Sequence, residues 1–260
     1  MYFETYHAAR IVIAAKKALA ENSKLSYEPA AGEETIIFSF MPRMSSGKPQ
    51  EMEALSPSKW FKLCKEDGLC DVYMLTRMEY RDHEKPLIPN PCETYMACIV
   101  TVYQNGRVQY WLPSCDYYED FEEWHISYTE YPWPDAPRER PAFPDNLNAF
   151  RSILNEIELF ADKIEEEEFS EYFREARQIL DGEIPCDCKD SILSVLPTQN
   201  YRRFMAASTA SVFGGMGSWN DMPHTTAEAM GLEDKYSRLS AELKKQIRLA
   251  EMYAVNQWEC

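Results

Sequence analysis

The spacing of hydrophobic and polar positions changes about halfway along the chain. Before residue 132, short runs rich in β-branched and aromatic residues predict β-strands. After residue 145, apolar residues recur every three or four positions, which predicts amphipathic helices. The sequence therefore predicts an α+β protein, in which residues 1–140 form an antiparallel sheet with flanking helices and residues 141–260 form a helical region. The two regions are expected either as separate domains or packed together as one.

The N-terminal region combines predicted helices with predicted strands. Helices are expected over residues 5–21 and 56–68, and a polar loop over residues 45–49. The strongest hairpin signal is Asn105-Gly106, because it separates two aromatic and β-branched runs. The predicted strands cover residues 34–41, 70–78, 94–103, 107–112 and 124–131.

A proline-rich segment separates the two regions. Residues 132–145 hold five prolines in fourteen positions, a density that excludes a helix or a central strand. Asp145 is the expected N-cap of the helix that follows, and Thr225 and Glu228 have the spacing of a capping box. The predicted helices cover residues 147–164, 169–180, 198–213 and 232–257.

Composition narrows the classes of function. The 260 residues are 45% hydrophobic and carry a net charge of −16, which is typical of a globular protein and disfavours binding to a phosphate backbone. We expect no nucleic acid partner and no membrane association, because no apolar run is long enough to span a bilayer. The eight cysteines are expected to be mostly reduced in a cytoplasmic protein. The acidity favours either a basic protein partner or solubility alone.

An acidic aromatic segment, residues 116–134, is one candidate binding surface. It holds six carboxylates, seven aromatic residues and no Lys or Arg. Aromatic anchors among carboxylates suit recognition of a basic protein. The alternative is an amphipathic edge strand whose aromatic residues face the core. The candidate binding residues are Tyr117, Tyr118, Asp120, Phe121, Glu123, Trp124 and Tyr128.

A second candidate is a glycine cluster in the C-terminal region. Three of the nine glycines fall within four positions, between predicted helices. The cluster indicates either a ligand-facing loop or a tight corner between helices. In the corner, Gly214 and Gly215 would end a helix in left-handed geometry, and Gly217 would allow close packing. We favour the corner, because no Lys or Arg occurs in residues 204–234. The corner residues are Gly214, Gly215, Gly217, Ser218, Trp219, Asn220 and Asp221.

The segment from Phe213 to Asp221 resembles a motif of small, mostly helical, uncharacterised bacterial domains, some of which are suspected to be toxin-immunity proteins. The resemblance covers residues 195–257 and implies no established activity. Pro223 departs from the motif, and residues 1–140 match no family.

Signals for catalysis and metal binding are sparse. Cys186 and Cys188 form a close pair without the spacing of a structural zinc site, so we expect neither a metal nor a cofactor. Asp221 and His224 place a carboxylate near an imidazole, although no nucleophile is identifiable. The favoured function is therefore binding of another macromolecule, as an acidic inhibitor or immunity-like partner of a basic protein. The alternatives are a hydrolase with its site near Asp221 and His224, or a phage or structural scaffold protein.

Overall fold

The computed structural model describes residues 3–29, 33–45, 48–78, 88–91, 96–118, 123–186 and 189–259. The strands in this part of the chain are β1 (Glu33–Ser45), β2 (Lys48–Ala54), β3 (Leu69–Thr76), β4 (Ala97–Tyr103), β5 (Val108–Tyr118) and β6 (Glu123–Pro132). The α-helices are α1 (Phe3–Ala20), α2 (Pro57–Glu66), α3 (Leu147–Lys163), α4 (Glu167–Asp181), α5 (Thr198–Thr209), α6 (Met222–Ala229) and α7 (Glu233–Asn256).

The protein belongs to the α+β class, as the sequence predicts, with its strands before most of its helices. Backbone contacts divide the chain into two compact units. The sheet unit lies within residues 2–142 and also takes in residues 189–195, whereas residues 143–188 and 196–258 form the helical unit. That the predicted regions 1–140 and 141–260 are separate domains stays a prediction.

The sheet is mixed rather than wholly antiparallel. Its strand order in the described residues is β2-β1-β6-β5-β4-β3, and among these pairs only β1–β6 is parallel. Sequential strands pair antiparallel because a local connection reverses the chain between them. The β1–β2 hairpin and the β3–β6 meander meet through strands that are distant in sequence, so no hairpin turn dictates their relative direction.

One strand was not predicted from the sequence, and another is longer than predicted, both for physical reasons. Residues 48–54, partly predicted as loop, form β2 at one edge of the sheet, where lysine, proline and glutamate are common and the hydrophobic signal is weak. β5 continues through Pro113, beyond Trp111, the last residue at which it pairs with β4. Proline fits there because β5 has only β6 as a neighbour from that point.

Aromatic side chains form the core between α2 and the sheet. The ring of Trp60 stacks on Phe38 at 4.7 Å between centroids, and Phe38 stacks on Tyr128 at 5.0 Å. Trp111 meets Trp60 edge-on at 5.8 Å and donates a hydrogen bond from its indole nitrogen to the Thr101 hydroxyl. These contacts fix α2 on the sheet, because aromatic pairs in such geometries add to the free energy of burial.

In the helical unit, α3, α4, α5 and α7 form a closed cycle of neighbours, as in a four-helix bundle. Contacts join α3 to α4, α4 to α5, α5 to α7 and α7 to α3, while the short α6 packs on α7. The inward positions of the predicted helical stripes, such as Leu154, Phe173 and Leu243, are buried. No described helix has the length and apolar character needed to cross a membrane.

Three predicted helix ends are wrong. Asn146, not Asp145, is the N-cap of α3, although the Asp145 carboxylate accepts the Leu147 N–H at 3.0 Å. α5 ends at Thr209, before the predicted residue 213. Thr225 lies inside α6 and not at a capping box, because that helix already begins at residue 222.

A buried carboxyl on β6 leads to a prediction about the pH dependence of stability. Burial raises the pKa of Glu130, whose Oε2 accepts the Met41 N–H at 2.9 Å. A carboxyl with a raised pKa in the folded state stabilises the fold below its unfolded pKa, and this contribution is lost as pH rises through the folded value. Relative to wild type, Glu130→Gln should therefore gain free energy of unfolding as the pH rises from about 4, the ordinary glutamate value.

Urea unfolding of both proteins across this pH range measures that difference. Its slope against pH is the readout, because the new amide also changes hydrogen bonding at all pH values. A difference that stays constant with pH would show that Glu130 has an ordinary pKa.

Candidate functional site

The glycine cluster forms a corner between α5 and α6, and Trp219 anchors it in the helical core. The Trp219 side chain is 0% exposed, and its ring lies 5.1 Å from Phe173 and 5.3 Å from Phe169. Its indole nitrogen donates a hydrogen bond of 2.8 Å to Ser240 Oγ on α7. The backbone carbonyl of Trp219 accepts a hydrogen bond from the Tyr236 hydroxyl. Trp219 therefore fixes the position of the whole corner.

Hydrogen bonds within the corner close it into a tight loop. The Trp219 N–H donates to the Val212 carbonyl at 3.0 Å, and the Asp221 carboxylate accepts the Gly217 N–H at 2.9 Å. The Asn220 side chain donates to the Gly214 carbonyl at 3.4 Å, and the Ser218 hydroxyl accepts the Asn220 N–H at 3.3 Å. Hydrogen bonds therefore hold the loop both at its ends and in its middle.

The roles predicted for the individual glycines are wrong. Gly214 and Gly215 do not end α5 in left-handed geometry, because α5 ends earlier, with Ala210 as a right-handed C-cap. Gly217 alone among the three has a positive φ, of +79°. A Cβ at Gly217 would meet nothing within 4 Å, so the backbone conformation, and not close packing, requires glycine there.

The corner presents Met216 to solvent. Its side chain is 98% exposed, although Trp219, three residues later, is fully buried. Beside Met216 lies an open groove of about 380 Å³, which we call the corner groove. Its walls come from the start of α4, the end of α5 and the corner itself. The lining residues are Glu168, Phe169, Tyr172, Thr209, Ser211, Val212, Phe213, Met216, Gly217 and Ser218.

The electrostatic environment on the α4 side of the groove is negative. Tyr172 is 39% exposed and donates a hydrogen bond of 3.1 Å to Glu168 Oε1. That hydrogen bond and the charges of Glu168, Glu175 and Glu171 raise the pKa of Tyr172. On another side, the Lys244 ammonium lies 4.9 Å from the Phe213 ring centroid. The groove therefore combines apolar side chains with an acidic rim along α4.

The side chains of Asp221 and His224 contact different partners. The Asp221 carboxylate accepts the Gly217 N–H, whereas the His224 ring lies 5.1 Å from the Tyr236 ring. No hydrogen bond joins the two side chains, both of which lie in the described part of the helical unit. Their contacts stabilise the corner and the start of α6.

The acidic aromatic segment is only partly within the described residues. Asp120 and Phe121 lie outside them, and only the backbone of Tyr117, Tyr118 and Glu123 is described, at the facing ends of β5 and β6. Trp124 is half-buried, and its ring stacks on Phe3 at 4.2 Å between centroids. Tyr128 is fully buried in the aromatic core, so its ring is not accessible to a partner.

The edge-strand alternative for this segment is also wrong in two respects. β6 lies in the interior of the sheet, between β1 and β5, and is not an edge strand. Its burial alternates, but acids and aromatic residues are not divided as that interpretation requires, because the acid Glu130 is buried and the aromatic Tyr131 is exposed. Ile126, Tyr128 and Glu130 are buried, and Thr129 and Tyr131 are exposed.

The structure brings no metal cluster together among the described residues. No group of three or more His, Cys, Asp or Glu side chains in those residues has the arrangement of a metal site. Cys186 is half-buried, and Cys188 lies outside the described residues, so the absence of a metal at this pair stays a prediction.

The sequence analysis identified the glycine cluster but not Met216 and Tyr172, the two exposed large hydrophobic residues of the corner groove. Met216 was visible as a large apolar residue enclosed by glycines, which supply no side chains to cover it. Tyr172 lies within the glutamate-rich stretch 165–175. A helix face rich in glutamate is expected to be solvated, so an aromatic residue there is unusual. Neither residue could be assigned to the surface from the sequence, because the spacing of apolar residues does not show whether a particular side chain is exposed to solvent.

Comparison of the chain with models of known protein families, with curated proteins and with solved structures gives no match. The resemblance of the corner to bacterial immunity-type domains therefore stays a prediction.

Proposed function

We propose that the protein binds a basic protein, and that the corner groove with its acidic rim is the binding surface. The observation that carries this proposal is the solvent exposure of Met216. Hydrogen bonds within the corner and the buried Trp219 hold the loop that bears it. Packing explains why Trp219 and Phe213 are apolar, since both are buried. It does not explain an apolar side chain that is 98% exposed at the same corner.

Methionine suits an interaction surface, because its flexible and polarisable side chain adapts to different partners. Two further methionines are exposed nearby in sequence, Met222 and Met230, at the two ends of α6. α6 is tied to the glutamate-rich turn before α4, because the Thr226 hydroxyl donates to Glu166 Oε1 at 3.1 Å. Apolar and acidic groups therefore occur together on this side of the helical unit.

The charge of the rim selects the chemistry of the partner. Glu165–Glu168 supply four consecutive carboxylates and Glu171 supplies a fifth, whereas residues 204–234 contain no Lys or Arg. A partner with Lys or Arg around an apolar anchor would complement this surface, whereas an acidic partner would be repelled. An inhibitor or immunity-like role fits this chemistry. A cytoplasmic location is part of the proposal, because Cys64, Cys70 and Cys115 are free thiols.

Photo-crosslinking tests the proposal in cells that naturally make the protein. The residue at position 216 is replaced by p-benzoylphenylalanine, and Leu159 on α3 is replaced in the same way as a matched control. Leu159 is also a large apolar residue of the helical unit and is 62% exposed, but it does not line the groove. We expect an adduct with one basic protein from position 216 and none from position 159.

A captured protein supports the proposal only if its purified form is basic and binds more weakly as salt is raised, since screening weakens contacts to exposed carboxylates. An adduct with an acidic protein, equal adducts from both positions, or no adduct at position 216 would refute the proposed surface.

A further inference from the structure

A cleft in the sheet unit has a charge opposite to that of the chain. It lies between the loop that follows α1 and the face of α2, and its volume is about 620 Å³. Lys24, Lys59, Lys62 and Lys65 line it, together with a single acid, Glu66. The whole chain carries 43 acidic and 27 basic residues, so this lining is the reverse of the overall balance.

The lysines converge because of the helical period. Lys59, Lys62 and Lys65 recur every three residues of α2 and therefore lie along one side of that helix. Lys24 comes from the loop after α1, which the Ser58 hydroxyl holds in place by donating to the Leu25 carbonyl at 3.0 Å. Like charges brought together in this way repel one another unless a counter-charge is present.

Two of the four ammonium groups have internal partners. Lys65 donates to Asn22 Oδ1 at 2.8 Å, and Lys62 pairs with Glu66 at 3.7 Å on the exposed face of the helix. The Lys24 and Lys59 ammonium groups make no hydrogen bond or ion pair with any described residue. Their positive charge is thus available to a ligand.

The floor of the cleft is apolar. Phe61 and Leu25 line it and are almost fully buried. The aliphatic stems of the lysines extend this apolar wall, because long cationic side chains keep only their heads in water. A cavity of a few hundred Å³ with apolar walls and few charged groups is typical of a small-molecule site.

We propose that this cleft binds a small organic anion, in which a phosphate or carboxylate group contacts Lys24 and Lys59 and an apolar body covers Phe61 and Leu25. The proposal is independent of the proposed protein partner, since it concerns the sheet unit alone. Lysine ammonium groups act as point charges that accept either anionic head group.

Calorimetric titration of the full chain with octyl phosphate and octanoate tests the site. Inorganic phosphate serves as the head group alone, and octyltrimethylammonium carries the same body with the opposite charge. We expect at least one of the two octyl anions to bind with a stoichiometry of one, and more tightly than both controls. The comparison of octyl phosphate with octanoate identifies the preferred head group.

The double variant Lys24→Glu/Lys59→Glu should weaken this binding by at least about tenfold, because two favourable charge contacts become repulsive. Lys245→Glu is the matched control, since this exposed lysine on α7 does not line the cleft. An unchanged melting temperature shows that the variants fold. Equal binding of octyltrimethylammonium, or wild-type affinity in the double variant, would overturn the assignment.

Discussion

Trp219→Ala is expected to lower the free energy of unfolding of the helical unit by about 3–5 kcal/mol, the usual effect of removing a fully buried aromatic side chain. The indole fills the centre of a cluster formed by Phe160, Phe169, Phe173 and Tyr236. Its removal leaves a cavity and breaks the hydrogen bond from the indole nitrogen to the Ser240 hydroxyl. A loss of this size is a large share of the ~5–15 kcal/mol that stabilises a typical domain.

Denaturant unfolding followed by circular dichroism measures this effect. Met216→Ala is the matched control in the same loop, because its side chain is almost wholly exposed, and its effect should stay within about 0.5 kcal/mol. The free energy of unfolding of Trp219→Phe should lie between those of Trp219→Ala and Met216→Ala, since it keeps an aromatic ring but loses the hydrogen bond to Ser240. Equal stabilities of Trp219→Ala and Met216→Ala would show that Trp219 does not anchor the corner.

Asp190→Ala should destabilise the sheet unit by about 3–5 kcal/mol, because it removes one partner of a buried ion pair. The Arg10 guanidinium is almost fully buried, and its Nε lies 2.9 Å from Asp190 Oδ2. Arg10 also donates to the Tyr27 hydroxyl at 2.9 Å and to the Glu28 carbonyl at 2.6 Å. The pair thus joins α1 to the separate stretch 189–195.

The pH dependence of this pair gives a second readout of the same prediction. Burial opposes ionisation of Asp190, but hydrogen bonds from Tyr6 and from the Leu193 and Ile192 N–H groups, with the charge of Arg10, hold its pKa below the usual value. A carboxyl with a lowered pKa stabilises the fold above its unfolded pKa and loses this contribution as pH falls through the folded value. The difference in free energy of unfolding between wild type and Asp190→Ala should therefore shrink as the pH is lowered.

The double variant Arg10→Met/Asp190→Ala is the control for the charge itself. We expect it to be more stable than Asp190→Ala alone, because it no longer buries a guanidinium that has lost its carboxylate. The single variant Arg10→Met completes the cycle. If the double variant loses the sum of the stability losses of Arg10→Met and Asp190→Ala, the ion pair contributes nothing beyond its separate contacts.

Local patterns predicted most of the fold. The Asn105-Gly106 turn joins β4 and β5 in an antiparallel pair, as its dipeptide predicts. Ser56 lies at the start of the predicted helix 56–68 and caps α2 by accepting the Lys59 N–H at 3.2 Å. These features depend on residues close in sequence, so one segment is enough to specify them.

Features that depend on distant residues were not predictable from one sequence. The parallel pairing of β1 with β6 joins strands about 90 residues apart, and no local turn encodes their direction. The inward orientation of Tyr128 depends on Phe38 and Trp60, which complete the core around it. The glycine cluster lies in the loop between α5 and α6, and the exposure of Met216 in that loop depends on the burial of Trp219 among residues distant in sequence.

The most direct test of the proposed function is the affinity of purified partner for Met216→Asp, compared with Leu159→Asp. Met216→Asp should weaken binding by at least about thirtyfold, the size of a central hot spot, because it places a carboxylate where an apolar anchor is needed. Its melting temperature should stay at the wild-type value, since the side chain is solvent-exposed. Leu159→Asp should leave both quantities unchanged. Wild-type affinity in Met216→Asp would contradict the assignment of the corner groove as the binding surface.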